Sequence, residues 1–126
     1  VSLSRESLLK PVAVPMEEIH IPELDGSVWV KGMTAADRSR FERQFSLASG
    51  KRNKRKTQEI RERLIVACVC DEQGNKLFTQ EDVGAIGAQS AMIIEKIVDV
   101  AQRLCGMANE DVEAMAGNSE LTDEDN

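Results

Sequence analysis

The sequence predicts a mainly α fold: a small helical domain of about four to five helices with one N-terminal β-hairpin at about residues 18–31. Three observations carry that expectation. The 126-residue chain is 41% hydrophobic but only 3% aromatic, with Trp29, Phe41, Phe45, Phe78 and no Tyr. A core of Leu, Ile, Val, Ala and Met suits helices better than a β-sandwich. Several segments repeat apolar residues at helical spacing behind Ser or Thr caps. One alternating stretch, "MEEIHIPELDGSVWVKGM", is split by Asp25-Gly26, a turn pair that tolerates positive φ. The length fits one domain, and a domain of this size buries roughly two thirds of the surface its unfolded chain exposes. Residues 1–117 are expected to form that single domain, and the acidic run 118–126 a disordered tail.

In chain order, Ser4 is expected to cap a short helix over 4–10, and Pro11 and Pro15 to punctuate a linker. A two-residue turn at Asp25-Gly26 would pair Leu24 with Ser27, Pro22 with Trp29, Ile21 with Val30 and His20 with Lys31. Ile19, Ile21, Val28 and Val30 then share the core face. Pro22 cannot donate a ladder bond, so its strand should be an edge. Thr34 with Asp37 has the capping-box spacing and opens a helix over about 35–48, ended by Gly50. Thr57 is expected to cap the next helix, "QEIRERLIVACVC". Its run from Leu64 to Cys70 is wholly apolar, so it should be the central helix. A turn at Gln73-Gly74-Asn75 follows. Thr79 and Asp82 repeat the cap pattern before a short helix through Val83 and Ile86.

"AQSAMIIEKIVDVAQRLCG" is the strongest helix signal, with Arg103 suiting the C-terminal dipole and Gly106 supplying a left-handed cap. Asn109 is expected to cap a last helix that ends at Gly117.

The usual catalytic kits are missing. His20 is the one imidazole, and a strand-flank His is more often an exposed residue than a general base. "ASGKRN" lacks the first Gly and the hydroxyl residue of a phosphate loop. "DEQGNKLFTQED" lacks the oxygen ladder of an EF-hand. Cys68, Cys70 and Cys105 lack metal-ligand spacing and read as small buried hydrophobes. The paired carboxylates read as solvated helix starts and turns. No catalytic, metal or cofactor site is expected, nor a small-molecule substrate. No apolar run reaches the roughly 20 residues that span a bilayer. The opening segment lacks the features of a secretory signal, so a cytoplasmic protein is expected.

Three stretches carry a resemblance. They are "VKGMTAADRSRFE" behind the short helix and hairpin, "RERLIVACVCDEQGNKLFTQEDVGAIG", and "IVDVAQRLCGMANEDVEAM" before an acidic tail. Their order over about residues 3–116 resembles the small tail assembly chaperones of long-tailed bacteriophages (siphophages) of the HK97 and lambda type. The most recognisable part is the pattern over 71–83 followed by that over 101–107. The resemblance implies a non-enzymatic α-helical protein of viral morphogenesis in the bacterial host cytoplasm, absent from the mature virion. Its partners would be the tape measure protein, which it binds, and the tail tube protein, whose subunits it helps recruit. Many such chaperones are made in two lengths by ribosomal frameshifting near the C-terminus.

A chaperone for a long helical client needs apolar contact positions. The candidates are Met33, Phe41, Phe45, Met92, Met107, Val112 and Met115, with filling of the protein's own core as the competing role for each. The hairpin edge permits self-association as a homo-oligomer. The other candidate is the basic loop, Lys51, Arg52, Lys54, Arg55 and Lys56. Residues 31–63 hold eleven Lys or Arg against Asp37, Glu42, Glu59 and Glu62, in a chain of net charge −6. This charge comes without aromatics for base stacking. It reads first as a solvated loop between helices, then as a dock for an acidic protein surface. The third reading makes the protein a small nucleic-acid-binding regulator with salt-sensitive, sequence-blind affinity.

Overall fold

A computed structural model describes residues 1–116. The fold is mostly helical with an N-terminal hairpin, as expected, and the hairpin gains a third strand. The order is α1 (Arg5–Leu9), β1 (Met16–Ile21), β2 (Gly26–Lys31), α2 (Ala35–Arg43), a helical turn α3 (Lys54–Thr57), α4 (Ile60–Cys68), β3 (Val69–Cys70), α5 (Val83–Gly87), α6 (Ala91–Leu104) and α7 (Asn109–Ala116). The expected stop at Gly117 and the tail 118–126 lie outside the described residues.

Ser4 caps α1 by accepting the Ser7 N–H, and no residue of this helix is buried. The hairpin keeps its expected face but not its register. Val30 lies opposite Glu17, not Ile21, and Ile21 lies opposite Gly26. The cause is Pro22, which has a fixed φ and no N–H. It opens a 3-10 turn, Pro22–Leu24, closed by the Asp25 N–H on the Pro22 carbonyl at 3.0 Å. Asp25, rather than Gly26, takes the left-handed conformation, with φ 53°. The slip is an even number of residues, so every side chain stays on its predicted side. Ile21 and Val30 are buried, and Ile19 and Val28 pack against the core. β1 is an edge strand, and β2 is central in the order β1-β2-β3.

Thr34 and Asp37 form the expected capping box on α2, each side chain accepting the other's backbone N–H. The Thr34 N–H also holds the Asp37 carboxyl below the usual carboxylate range. The helix stops at Arg43, short of the expected 48. The chain turns there through the Phe45 and Ser46 N–H groups, which bond the Glu42 and Arg43 carbonyls at 3.2 Å, and Phe45 stays in the core beside Phe41, their rings edge to face at 5.1 Å. The basic stretch is then organised by its own backbone. Ser46 bridges Arg52, the Asn53 N–H bonds the Phe45 carbonyl at 2.8 Å, and Asn53 caps α3. Thr57 is not a cap. It is buried, and its hydroxyl donates to the Lys54 carbonyl at 2.8 Å.

α4 is the enclosed helix. Ile60, Arg63, Leu64, Ile65, Val66 and Cys68 are all buried. It ends two residues earlier than expected, because Val69 and Cys70 leave the helix to pair with Val30 and Trp29 of β2. Asp71 closes the following turn, its carboxylate accepting the Gln73 and Asn75 N–H groups, and Gly74 supplies φ 87°. Cys70 therefore sits on a strand, and it is Cys68 and Cys105 that meet, with sulfurs 3.6 Å apart. The bond to Cys105, with burial, pushes the Cys68 thiol up. All three thiols are free.

Thr79 and Asp82 make a second capping box, on the short 3-10 turn that leads into α5. α6 packs on α4 and the hairpin through Ile93, Ile97, Val98 and Ala101. Its end is a Schellman motif: the Gly106 N–H bonds the Arg103 carbonyl, and the Met107 N–H bonds the Gln102 carbonyl. Asn109 does not cap α7. Its side-chain oxygen accepts from the buried Gln102 amide at 3.0 Å, while Asp111 accepts the Ala108 N–H at 2.9 Å.

The tightest packing joins the end of β2 to the end of α6. A Cβ on residue 32 would meet the Leu104 carbonyl oxygen at 2.6 Å, so this buried position requires Gly. Gly32→Ala should lower the unfolding free energy by about 1–3 kcal/mol, as overpacking does. Urea unfolding checks this as a lower midpoint at unchanged slope.

Candidate functional site

Two surface features stand out, one apolar and one basic. The apolar one is a groove of about 300 Å³ between the hairpin tip, α5 and α6. Leu24 and Val28 form one wall, Leu77, Phe78 and Ile86 the opposite one, and Ile93, Ile94 and Ile97 of α6 a third side. Ile65 and Val69 lie at its base, and Asp82 and Gln89 are its polar residues. Each wall is exposed for a local reason. Leu24 rides on the 3-10 turn that Pro22 forces and is 57% exposed. Leu77 follows the Gly74 turn and is 54% exposed. Met92, in the first turn of α6 and outside the groove's lining, is 74% exposed. An apolar hollow with adaptable aliphatic walls is chemically suited to one ridge of an amphipathic helix.

The predicted contact residues lie elsewhere. Phe41, Phe45, Met107 and Val112 are buried in the protein's own core. Met33 and Met115 are half-buried and packed against it. Only Met92 of the seven is an exposed large hydrophobe. The groove residues come from separate elements that only the tertiary fold brings together. The legible signal was the apolar pair Leu77-Phe78 directly after a turn.

The basic feature is a cleft on α2, α3 and α4. Its inner part, about 280 Å³, is lined by Lys31, Asp37, Arg40, Gln44, Arg63, Lys76 and Gln80 among others. An adjoining hollow shares Arg40, Gln44, Arg63 and Gln80 and adds Arg55, Lys56 and Glu81. Arg63 organises it. This buried guanidinium is paired with Glu59 at 2.8 Å and donates to the side-chain oxygens of Gln44 at 3.1 Å and Gln80 at 2.6 Å. One planar fork thereby ties α4 to the end of α2 and to the segment before α5. Of the predicted basic loop, Lys51, Lys54 and Arg55 are exposed, and Arg52 and Lys56 are half-buried. Arg55 and Lys56 face the cleft, while Lys51, Arg52 and Lys54 are outside its lining.

His20 is exposed on β1 opposite Ser27. Among the described residues, no group of three or more His, Cys, Asp or Glu side chains is placed to hold a metal ion. No helix among them is long and apolar enough to cross a membrane. No protein-family model, curated protein or solved structure matches the chain.

Arg63→Ala leaves Glu59, Gln44 and Gln80 without their shared donor, and should cost about 2–3 kcal/mol of stability. Arg63→Lys should recover little of it, because a single ammonium cannot reproduce the fork. Urea titration of the three proteins side by side measures both effects.

Proposed function

We propose that this chain is a tail assembly chaperone of the siphophage type, a non-enzymatic protein that covers apolar stripes of a tape measure protein and helps recruit tail tube subunits. The apolar groove carries the reading. Its walls and the neighbouring Met92 leave large aliphatic side chains in water, with no segment of the described chain over them. Burial of such surface is the general driving force for association. A client helix with apolar residues at three- and four-residue spacing presents the ridge that such a groove accepts. The order of the three resembling stretches supports the same reading, and so does the net charge of −6, which keeps a chaperone and its greasy client in solution. The setting is the cytoplasm of a bacterial host, with release before the virion is finished.

Co-expression with a tape measure protein should raise that protein's soluble fraction, and the two should co-purify. Leu77→Glu with Met92→Glu places two charges at exposed positions, so the fold should stay intact while co-purification drops at least tenfold. Failure of the unaltered pair to co-purify would sink the proposal. Survival of binding in the double variant would move the site away from the groove.

The basic loop favours one alternative, a nucleic-acid-binding regulator, because Lys51, Lys54 and Arg55 are exposed side by side with the cleft. That role requires a gel shift that weakens steeply with salt and disappears when Lys51, Arg52, Lys54, Arg55 and Lys56 are all changed to Gln. On the chaperone reading, no shift is expected at 0.15 M salt.

A further inference from the structure

Of the three free thiols, Cys68 and Cys70 are buried and Cys105 is half-buried, so Cys105 is the one that solvent reaches. Its surroundings are those of a thiolate rather than of a small hydrophobe. The Cys105 sulfur lies 3.6 Å from that of Cys68. The Met33 backbone N–H donates to it, and the Arg38 guanidinium acts on it through its charge, with Asp37 opposing. The hydrogen bond from Cys68 contributes most and outweighs the partial burial, so the Cys105 thiol is held below the ordinary thiol value. The same bond, with burial, pushes the Cys68 thiol up, so Cys68 keeps its proton and donates it. The two sulfurs therefore have unequal roles. An accessible one is prepared to ionise, and a protonated one touches it from behind.

The fold makes this contact by bringing two helix ends together. Cys68 is the last residue of α4, and Cys105 is the C-cap of α6. The close approach of Gly32 to the Leu104 carbonyl sets the end of α6 beside Met33. A disulfide bond is about 2.05 Å long, so sulfurs 3.6 Å apart have about 1.5 Å to close. Both residues stand where helical hydrogen bonding runs out, so a small shift there breaks few ladder bonds. Cys70 is the contrast. It sits on β3, its thiol is pushed up by burial, and it makes no sulfur pair.

We propose that Cys105 is an oxidation site for hydroperoxides, with Cys68 as its resolving thiol. The Cys105 thiolate attacks one peroxide oxygen, and the O–O bond breaks. Cys105 becomes a sulfenic acid, and the other oxygen leaves and is protonated to water or an alcohol. The Cys68 sulfur then displaces the sulfenic hydroxyl, which departs as water with the Cys68 proton. Two thiols lose two electrons to one hydroperoxide, and the product is a Cys68–Cys105 disulfide that a thiol reductant reopens. The bond clamps the end of α4 to the end of α6. Neither the groove nor the chaperone reading enters into it.

The test treats the folded full chain with hydrogen peroxide at neutral pH. Free thiols should fall from three to one, and the mass by two hydrogens. Digestion should yield a peptide pair joined through Cys68 and Cys105, separated again by dithiothreitol. Cys68→Ser removes the resolving thiol, so Cys105 should stop at the sulfenic acid and take up dimedone at least tenfold more than Cys70 in the same chain. Cys105→Ser should leave both remaining thiols reduced. The oxidised chain should unfold at higher urea than the reduced one, because the bridge constrains the unfolded state. Survival of all three thiols would overturn the proposal. So would a bridge to Cys70, a bridge between two chains, or a bridge that forms only in urea. Should Cys68→Ser not fold, the peptide map of the unaltered chain decides alone.

Discussion

The structure depends on enclosing α4. From Leu64 onward its sequence is apolar without interruption, and a helix that is hydrophobic all round must be covered on every side. The other elements supply that cover. α6 packs along it, α5 and α7 close on it, and the strand that leaves its C-terminus pairs with β2, so that the hairpin too belongs to its packing. Arg63 is the exception that shows the constraint. It is the only charged residue of the described chain in the buried class, and its guanidinium has three oxygen partners on three different segments. An unanswered charge at that depth would cost more than the helix gains by being covered.

Much of this was legible in the sequence, and what was not has definite causes. The two capping boxes, the Ser4 cap and the Gly106 stop were readable because each rests on a local bond between residues a few positions apart. The core face of the hairpin was readable because it depends only on parity. The register was not, because Asp-Gly promises a two-residue turn, while Pro22 three residues earlier dictates a 3-10 turn instead. The start of α4 was misread between two good caps. Thr57 qualifies by type and Asn53 caps α3, but the Thr57 hydroxyl is buried on the Lys54 carbonyl, and α4 begins behind Glu59 with no side-chain cap. β3 could not be read at all, because two apolar residues at the end of an apolar helix carry no period.

The site was less legible than the fold for a related reason. Contact positions chosen for residue type, Met and Phe above all, are the ones a chain short of aromatics spends on its own core, and Phe41, Phe45 and Met107 went there. The exposed aliphatics are exposed by geometry, at a forced turn (Leu24), behind a left-handed glycine (Leu77) and in the first turn of a helix (Met92). Charge is sorted in the same way. Most positive residues of 31–63 fall on α2, α3 and α4, while the apolar groove has Asp82 as its one charged lining residue. Two surfaces of opposite chemistry thus occupy one small domain without sharing a lining residue.

That separation bears on how a groove of this size can work. Each aliphatic side chain fully covered by a client contributes about 1.5–3 kcal/mol. Association itself costs on the order of 4–15 kcal/mol before any surplus appears as affinity. The exposed wall residues are few, so a client held by this groove alone would be bound with modest affinity. On the proposed reading this is the useful regime. Cover that exchanges quickly would protect a long helical client while it waits and would yield to a partner that covers more of the same surface. A deeper groove would bind better and hand over worse. Shallow walls on a highly charged body are therefore what transient cover requires.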